Sequence, residues 1–294
     1  MSQIVEGGSL LALVELIRRA GQEILEIYNR RDADWDVSLK EDRTPVTEAD
    51  RISNSIITDG LRQLFPDIPL ISEENRQVPY EMRQNYEYCW LLDPLDGTRE
   101  FLSRNGEFTI NLALIHSGQP VAGFISVPCK GLFYYAVREE GAYRVQLDIA
   151  GEARKTGDEK GQTEAYEDRT KTALNQKVRL RVAEFSMDEP GLAVVASRSH
   201  FDEATRKFIE GLNQPRLTNR GSSLKFMMLA EGQAHLYPRL GRTMEWDTAA
   251  GQAILEEAGG QVLKFYSRSR LTYNKKSLEN PPFLATGRVI NSES

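Results

Sequence analysis

Two aspartates that follow an apolar segment are suited to phosphate chemistry. Residues 90–92 predict a buried strand, and Asp93-Pro94 predicts its end, because proline cannot donate a hydrogen bond to a sheet. Asp96-Gly97-Thr98 then predicts a turn into a short helix, with Asp96 as its cap. Hard cations prefer carboxylate ligands, and the free N–H groups of a helix start attract anions. The stretch is therefore predicted to hold a metal ion together with a phosphate.

The same string has a second interpretation, because Asp-Pro-X-Asp-Gly is also a common composition of surface turns. The string alone leaves both interpretations equally open. The apolar run before Asp93 favours a site, since layered α/β folds bind ligands at the carboxyl ends of strands. Other acids at element boundaries are placed to meet it, namely Glu73, Glu74 and Asp247. Taken alone, the adjacent pair Glu73-Glu74 is more typical of a solvated surface.

Composition and charge narrow the class of protein. The 294 residues carry a formal net charge of -6, which argues against a nucleic-acid polymer as the partner. Two cysteines without a paired pattern indicate a reducing compartment. No stretch has the length of a membrane span, and the N-terminus does not resemble a leader peptide. We therefore expect a cytoplasmic protein, and the sequence leaves its oligomeric state open.

Residues 1–150 predict an α+β domain. Apolar residues at intervals of three and four predict helices over 9–30 and about 48–64. Thr47 is the expected cap of the second helix. Asp50 lies in its first turn, where complementing the helix dipole is the favoured role from spacing alone. Segments between 109 and 147, separated by glycine turns, predict an antiparallel meander.

The rest of the chain divides into two parts. Residues 151–178 are rich in Gly, Glu, Lys, Asp and Thr, and predict a polar linker or insertion too poor in apolar residues to become ordered. Residues 179–294 alternate strands with helices, which predicts an α/β domain that completes the site. In this part a strand ends in Ser197-Arg198-Ser199-His200, and Gly221-Ser222-Ser223 opens a helix that carries Lys225.

Three motifs carry a resemblance that spans almost the whole chain. They are Asp-Pro-Leu-Asp-Gly-Thr at 93–98, Trp-Asp-Thr-Ala-Ala-Gly at 246–251 and Glu-Ala-Gly-Gly at 257–260. With them the chain resembles the inositol monophosphatase superfamily. The resemblance implies an α+β half and an α/β half joined in a layered αβαβα sandwich, the sugar-phosphatase fold. It also implies a lithium-sensitive, magnesium-dependent phosphomonoesterase.

Within that superfamily the chain looks like the 3'(2'),5'-bisphosphate nucleotidases of the CysQ type. The supporting motifs are Thr44-Pro45-Val46-Thr47-Glu48-Ala49-Asp50, Asn105-Gly106-Glu107-Phe108-Thr109 and Gly221-Ser222-Ser223-Leu224-Lys225-Phe226. The implied reaction removes the 3'-phosphate of adenosine 3',5'-bisphosphate, a by-product of sulfate transfer in sulfur metabolism, and gives AMP. The polar stretch 151–178 departs from compact bacterial members, which affects local structure and not chemistry.

The resemblance assigns metal ligands to the acids of the motifs. Glu73, Asp93 and the carbonyl of Leu95 would hold one Mg²⁺ ion. Asp93, Asp96 and Asp247 would hold a second, within a total of two or three ions. Bound Mg²⁺ would lower the pKa of its water and neutralise charge on the phosphoryl group.

The resemblance also assigns roles in the reaction itself. Thr98, backed by Asp50, would activate the attacking water, because a hydroxyl needs an acceptor to pass its proton to. Glu74 would help to orient water. The N–H groups of Gly97 and Thr98 would receive the scissile phosphate.

The nucleotide needs further partners. Lys225, near a helix start, is the candidate cation for the second phosphate, with Ser222 adding donors. Ser197 and His200 would reach the nucleotide from the end of their strand. From the residues alone, a surface lysine and a helix-entry histidine are the favoured interpretations of Lys225 and His200.

Three alternatives accompany this hypothesis. An inositol or sugar monophosphatase would share the metal site and not use Lys225. A haloacid-dehalogenase-like phosphatase is rejected, because its Asp-X-Asp motif lies near the chain start and these acids are three apart. A nucleotide- or magnesium-sensing module without catalysis remains possible on sequence grounds.

Overall fold

The computed structural model describes residues 8–30, 36–39, 45–149, 159–198 and 202–290. Its helices are α1 (Gly8–Tyr28), α2 (Glu48–Leu64), α3 (Tyr80–Arg83), α4 (Thr98–Leu102), α5 (Glu159–Asn175), α6 (Glu203–Glu210), α7 (Leu224–Ala230) and α8 (Glu245–Glu257). Its strands in the first half are β1 (Val37–Leu39), β2 (Pro45–Thr47), β3 (Leu70–Ser72), β4 (Tyr88–Asp96), β5 (Thr109–His116), β6 (Gln119–Val127), β7 (Leu132–Val137) and β8 (Gly141–Gln146). The later strands are β9 (Val178–Arg179), β10 (Glu184–Phe185), β11 (Ala193–Ser197), β12 (Arg216–Arg220), β13 (Leu236–Arg239), β14 (Gln261–Lys264), β15 (Phe283–Thr286) and β16 (Arg288–Val289).

The first sheet has the order β3-β4-β5-β6-β7-β8-β9. Only the β3–β4 pair is parallel; the remaining pairs are antiparallel and include the expected meander. Both faces of this sheet are covered, because successive side chains point to opposite sides of a strand. Trp90 and Leu92 pack with α1 and α2, whereas Cys89 and Leu91 pack with α7 and α8.

The second sheet has the order β12-β11-β13-β15-β14. Its inner face, which includes Val195 and Phe283, packs with α7 and α8. Its outer face, which includes Val194 and Leu236, packs with Ile209 of α6. The layers therefore run α1/α2, first sheet, α7/α8, second sheet and α6, which is the expected αβαβα sandwich. Among the described residues, no helix is both long and apolar enough to cross a membrane.

Helix α5 occupies most of the stretch for which a linker was expected. The Arg18 guanidinium carbon lies 4.0 Å from the centre of the Tyr166 ring, and Thr170 donates a hydrogen bond to Glu15 of α1. The expectation that this composition cannot become ordered is wrong for residues 159–175. The helix docks through polar and cation–π contacts, which an argument from apolar area alone leaves out, and through Ala173 and Leu174, which pack against the core that contains α1.

Strand β4 continues past Asp93-Pro94, where its end was expected. The pairing of β4 with β5 shifts register between Asp93 and Asp96, so the proline lies at an irregularity, where a missing N–H interrupts no ladder bond. The residue that caps α4 is Gly97, with a left-handed φ of 93°, and no side chain caps this helix. The expected capping role of Asp96 is therefore wrong.

Candidate active site

Three carboxylates from separate elements converge beside the end of β4. Glu73 follows β3, Asp93 lies in β4 and Asp247 lies in the first turn of α8. One carboxylate oxygen of each lies within 4.8 Å of those of the other two. The parallel pairing of β3 with β4 brings Glu73 to Asp93, and the packing of α8 on the first sheet brings Asp247. They are three of the four acidic metal ligands that the resemblance implies, and the fourth is Asp96.

The electrostatics of this cluster suit a divalent cation. Asp93 is buried, and its pKa is raised well above the ordinary value by burial and by the charges of Glu73, Asp96, Asp247 and Asp50. Burial, followed by Asp96 and Glu73, raises the pKa of Asp247 to about 8. Carboxylates that repel one another in a buried place are stabilised by an ion that bonds to their oxygens. The donor set, all oxygen, fits a hard cation such as Mg²⁺.

The remaining expected ligands lie at the edge of this cluster. Asp96 raises the pKa of both Asp93 and Asp247, so it is near them, although it is not one of the three that converge. The N–H of Leu95 donates to Asp93 Oδ1 at 3.1 Å, which ties this residue, whose own carbonyl was expected to bind metal, to one of the converging carboxylates. Glu74 is next to Glu73 and outside the converging group.

The Thr98–Asp50 pair is present. Thr98 Oγ1 donates to Asp50 Oδ1 at 3.2 Å. The other oxygen, Asp50 Oδ2, accepts from the Thr47 N–H at 2.7 Å and from Thr47 Oγ1 at 2.6 Å. Thr47 is the cap of α2, as expected, and it forms a capping box with Asp50. The helix-start role and the expected catalytic role of Asp50 therefore use different oxygens of one buried carboxylate.

Gly97 lets the chain turn sharply between β4 and α4. Its φ of 93° is disfavoured for residues with a Cβ. A Cβ there would also lie 3.3 Å from both Glu100 Oε2 and Ser222 Cβ. The loop before α7 therefore packs directly on the turn expected to receive phosphate.

Lys225 is more enclosed than a surface helix lysine. It is 5% exposed, and its ammonium donates to the carbonyl of Arg220 at 3.4 Å and also to that of Ser222. Burial lowers its pKa to about 8, and the nearby charge of Asp96 opposes that shift. Two of its three N–H hydrogens are thus used within the described residues, and the ammonium lies beside the acidic cluster.

The expected substrate contacts of Ser197, His200 and Ser222 stay predictions. Ser197 ends β11 and is buried. His200 lies outside the described residues, so its expected contact with the nucleotide stays a prediction. Ser222 is at the site, but its hydroxyl donates to Asp96 Oδ2 at 2.7 Å.

Sequence reasoning missed residues that hold the two halves together here. Glu107 accepts from the Gly221 N–H at 2.8 Å and pairs with Arg198 at 3.2 Å. Asn111 and Ser223 both donate to Asp96. The signal available for Asn111 was a polar residue in the middle of an apolar strand, where a buried amide requires partners.

A model of the inositol monophosphatase family matches residues 9–293. The chain belongs to the inositol monophosphatase family. It is 39% identical over 272 residues to a 3'(2'),5'-bisphosphate nucleotidase CysQ of Salmonella typhimurium, an alignment that covers 92% of this chain and 97% of the relative.

Solved structures agree with this membership. The crystal structure of CysQ from Bacteroides thetaiotaomicron, described as a bacterial member of the same family, matches with a TM-score of 0.76 and 35% identity. That match covers 94% of this chain and 96% of the other. An IMPase from Thermotoga maritima matches with a TM-score of 0.67 and 25% identity, and covers 93% and 89% of the two chains. The expected sandwich fold is confirmed.

The binding of a divalent cation to this cluster should release protons and strengthen as the pH rises. Burial and neighbouring carboxylates raise the pKa of Asp93, and raise that of Asp247 to about 8, which favours their protonated forms in the metal-free fold, whereas a cation binds the ionised forms. We expect the affinity for Mg²⁺ to rise with pH through about 8, the value to which the pKa of Asp247 is raised. Calorimetry in two buffers that differ in ionisation enthalpy measures the protons released. A pH-independent affinity without proton release would contradict this prediction.

The same pKa shifts determine whether the stability of the metal-free protein rises or falls with pH. A carboxylate whose pKa is higher in the folded chain than in the unfolded chain favours folding only while it is protonated. The metal-free protein should therefore lose stability as the pH rises from the ordinary carboxylate range to about 8. Urea unfolding in chelator across this range checks the sign, and added Mg²⁺ should reduce the dependence.

Proposed function

We propose that this protein is a phosphomonoesterase that removes the 3'-phosphate of adenosine 3',5'-bisphosphate and gives AMP and phosphate. The observation that carries the proposal is the convergence of Glu73, Asp93 and Asp247 beside the Thr98–Asp50 pair. The 3'(2'),5'-bisphosphate nucleotidases among its relatives support the choice of substrate. Mg²⁺ is the proposed cation, since each convergent ligand is a carboxylate oxygen.

Different residues of the chain have different roles in the proposed hydrolysis. The bound cations supply positive charge that stabilises the phosphoryl group and makes a water more acidic. Thr98 Oγ1 donates its own hydrogen to Asp50, which leaves its lone pairs to accept a hydrogen from the attacking water. Asp50 is kept in place for this by its two bonds from Thr47. The N–H groups of Gly97 and Thr98 are the proposed donors to the phosphate.

Selectivity for a bisphosphate requires a cation for the phosphate that is not cleaved. Leaving a dianion unpaired beside several carboxylates would be costly. Lys225 is the proposed partner, because its ammonium lies next to the acidic cluster and carbonyls use only two of its three hydrogens among the described residues. Its enclosed position pre-orients the charge.

Replacing Lys225 by methionine should separate two substrates. Methionine keeps much of the length of the apolar stem and removes the charge. We expect kcat/KM for adenosine 3',5'-bisphosphate to fall by about one to two powers of ten, equivalent to roughly 1.5–3 kcal/mol for a charge-assisted contact. The loss on 3'-AMP, which lacks the 5'-phosphate, should be much smaller. Because Lys225 also supports the 220–222 loop, the ratio between substrates is the informative quantity, and an unchanged ratio would contradict the assignment.

The proposal as a whole is tested by phosphate release from three substrates measured side by side. Adenosine 3',5'-bisphosphate should be hydrolysed with the highest kcat/KM, ahead of 3'-AMP and inositol 1-phosphate. A preference for inositol 1-phosphate would indicate an inositol monophosphatase. Binding of the bisphosphate without turnover, in the presence of Mg²⁺, would indicate a sensing module.

A further inference from the structure

One oxygen of Asp96 is surrounded by hydrogen-bond donors from the protein. Asp96 Oδ2 accepts from Ser222 Oγ at 2.7 Å, from Ser223 Oγ at 3.0 Å and from Asn111 Nδ2 at 3.1 Å. Among the described residues, the other oxygen, Oδ1, has no hydrogen-bond partner. The two oxygens of this carboxylate therefore have different surroundings, although the side chain itself is symmetric.

The donors belong to a connected network that orients each of them. Asn111 Nδ2 also donates to Ser223 Oγ at 2.9 Å, and Thr109 Oγ1 lies 2.8 Å from Asn111 Oδ1 and 2.5 Å from Ser222 Oγ. Ser223 Oγ reaches the carbonyl of Asp247 at 3.1 Å as well. Thr109, Asn111 and Ser223 are all buried, so the hydroxyls and the amide have little access to water as an alternative partner.

The network joins the two halves of the molecule. Asn111 and Thr109 lie in β5 of the first sheet, whereas the two serines lie in the loop that leads from the second sheet into α7. Ser222 has a φ of 52°, a conformation that costs free energy for a residue with a Cβ. Glycine would relieve that cost but would not supply the hydroxyl that Asp96 uses.

The geometry points to Asn111, Ser222 and Ser223 as positioning residues for Asp96. They hold Oδ2 and so leave Oδ1 as the oxygen for a cation shared with Asp93 and Asp247. The inference rests on the proposed metal-dependent function and deepens it. It assigns Ser222 a role toward the metal ligand in place of the expected contact with substrate. Replacing partners that orient a metal ligand in this way typically lowers metal affinity or activity by about 10- to 100-fold.

The test is the Mg²⁺ affinity of the substrate-free protein, measured by calorimetry with Mg²⁺ alone. Asn111→Ala and Ser222→Ala should each weaken Mg²⁺ binding by about ten- to a hundredfold. Ser222→Gly removes the same hydroxyl and also the backbone strain, so it should weaken Mg²⁺ binding as Ser222→Ala does. The Mg²⁺ concentration for half-maximal activity should rise in parallel, while KM at saturating Mg²⁺ changes much less.

The matched control is Ser126→Ala, which deletes a buried hydroxyl from neighbouring strand β6. Ser126 Oγ has no hydrogen-bond partner within the described part of the chain, so Mg²⁺ affinity should be unchanged. Wild-type Mg²⁺ affinity in folded Asn111→Ala and Ser222→Ala would overturn the inference. So would a loss in Ser222→Ala that Ser222→Gly restores, since glycine lacks the hydroxyl too and the loss would then follow the backbone conformation at this position. If the wild-type protein itself binds no Mg²⁺, the proposed function fails first.

Discussion

Replacing Asp96 by asparagine should lower kcat by roughly 100- to 1,000-fold while the protein still folds. The three donors on Oδ2 require an acceptor, so the amide oxygen of asparagine should take that place. Its NH₂ group then replaces Oδ1 and presents hydrogens to the cation. Loss of one charged ligand costs several kcal/mol of transition-state stabilisation by the metal, which corresponds to a loss of this order.

The metal-free stability of the same variant provides an independent readout. Asp96 raises the pKa of Asp93 and Asp247 by repulsion and raises that of Lys225 by attraction. The charge of Asp96 therefore destabilises the ionised forms of Asp93 and Asp247 and stabilises the charged form of Lys225. Removing this charge should leave the free energy of unfolding of the variant in chelator unchanged or raise it. Added Mg²⁺ should stabilise the variant less than the wild type. Asp59→Asn, on the exposed face of α2, is the matched control. Wild-type turnover in Asp96→Asn would remove Asp96 from the site.

Local patterns predicted the elements that place the metal ligands. The apolar period of α2, its Thr47 cap and the meander from β5 to β8 depend on neighbours in sequence, and they were predicted close to their observed bounds. The acids were recognised because each follows an element end. Their convergence was implied by the resemblance, since no local rule fixes which strand ends meet.

What the sequence did not predict depends on contacts between distant segments. Asn111 and Ser223 acquire their partner, Asp96, only when the loop before α7 meets β5. The docking of α5 relies on Arg18 and Tyr166, which lie far apart in the chain. The continuation of β4 past Pro94 depends on a register shift against β5. None of these features has a period or a spacing that could be counted beforehand.

Removing the Thr98 hydroxyl should have the other large effect. Valine keeps the shape of threonine and loses the hydroxyl that donates to Asp50 Oδ1, so the proposed acceptor of the hydrogen from the attacking water is gone. General-base assistance contributes about 10²–10⁴-fold, and we expect Thr98→Val to lower kcat within this range with little change in KM. Thr98→Ser retains the hydroxyl and should keep most of the activity. Equal losses in both variants would indicate packing rather than proton transfer.

The double variant with Asp50→Asn shows whether the two residues act as one unit. In Asp50→Asn the amide oxygen should keep the bonds from Thr47, because two donors meet there. Its NH₂ group would then donate to Thr98 Oγ1 and reverse the hydrogen bond, so the hydroxyl could no longer pass its hydrogen on. Each single change should thus cost about as much as both together, since groups that work in series are not additive. Additive losses would mean that Asp50 serves only the start of α2, and Thr98 would then need another acceptor for its proton.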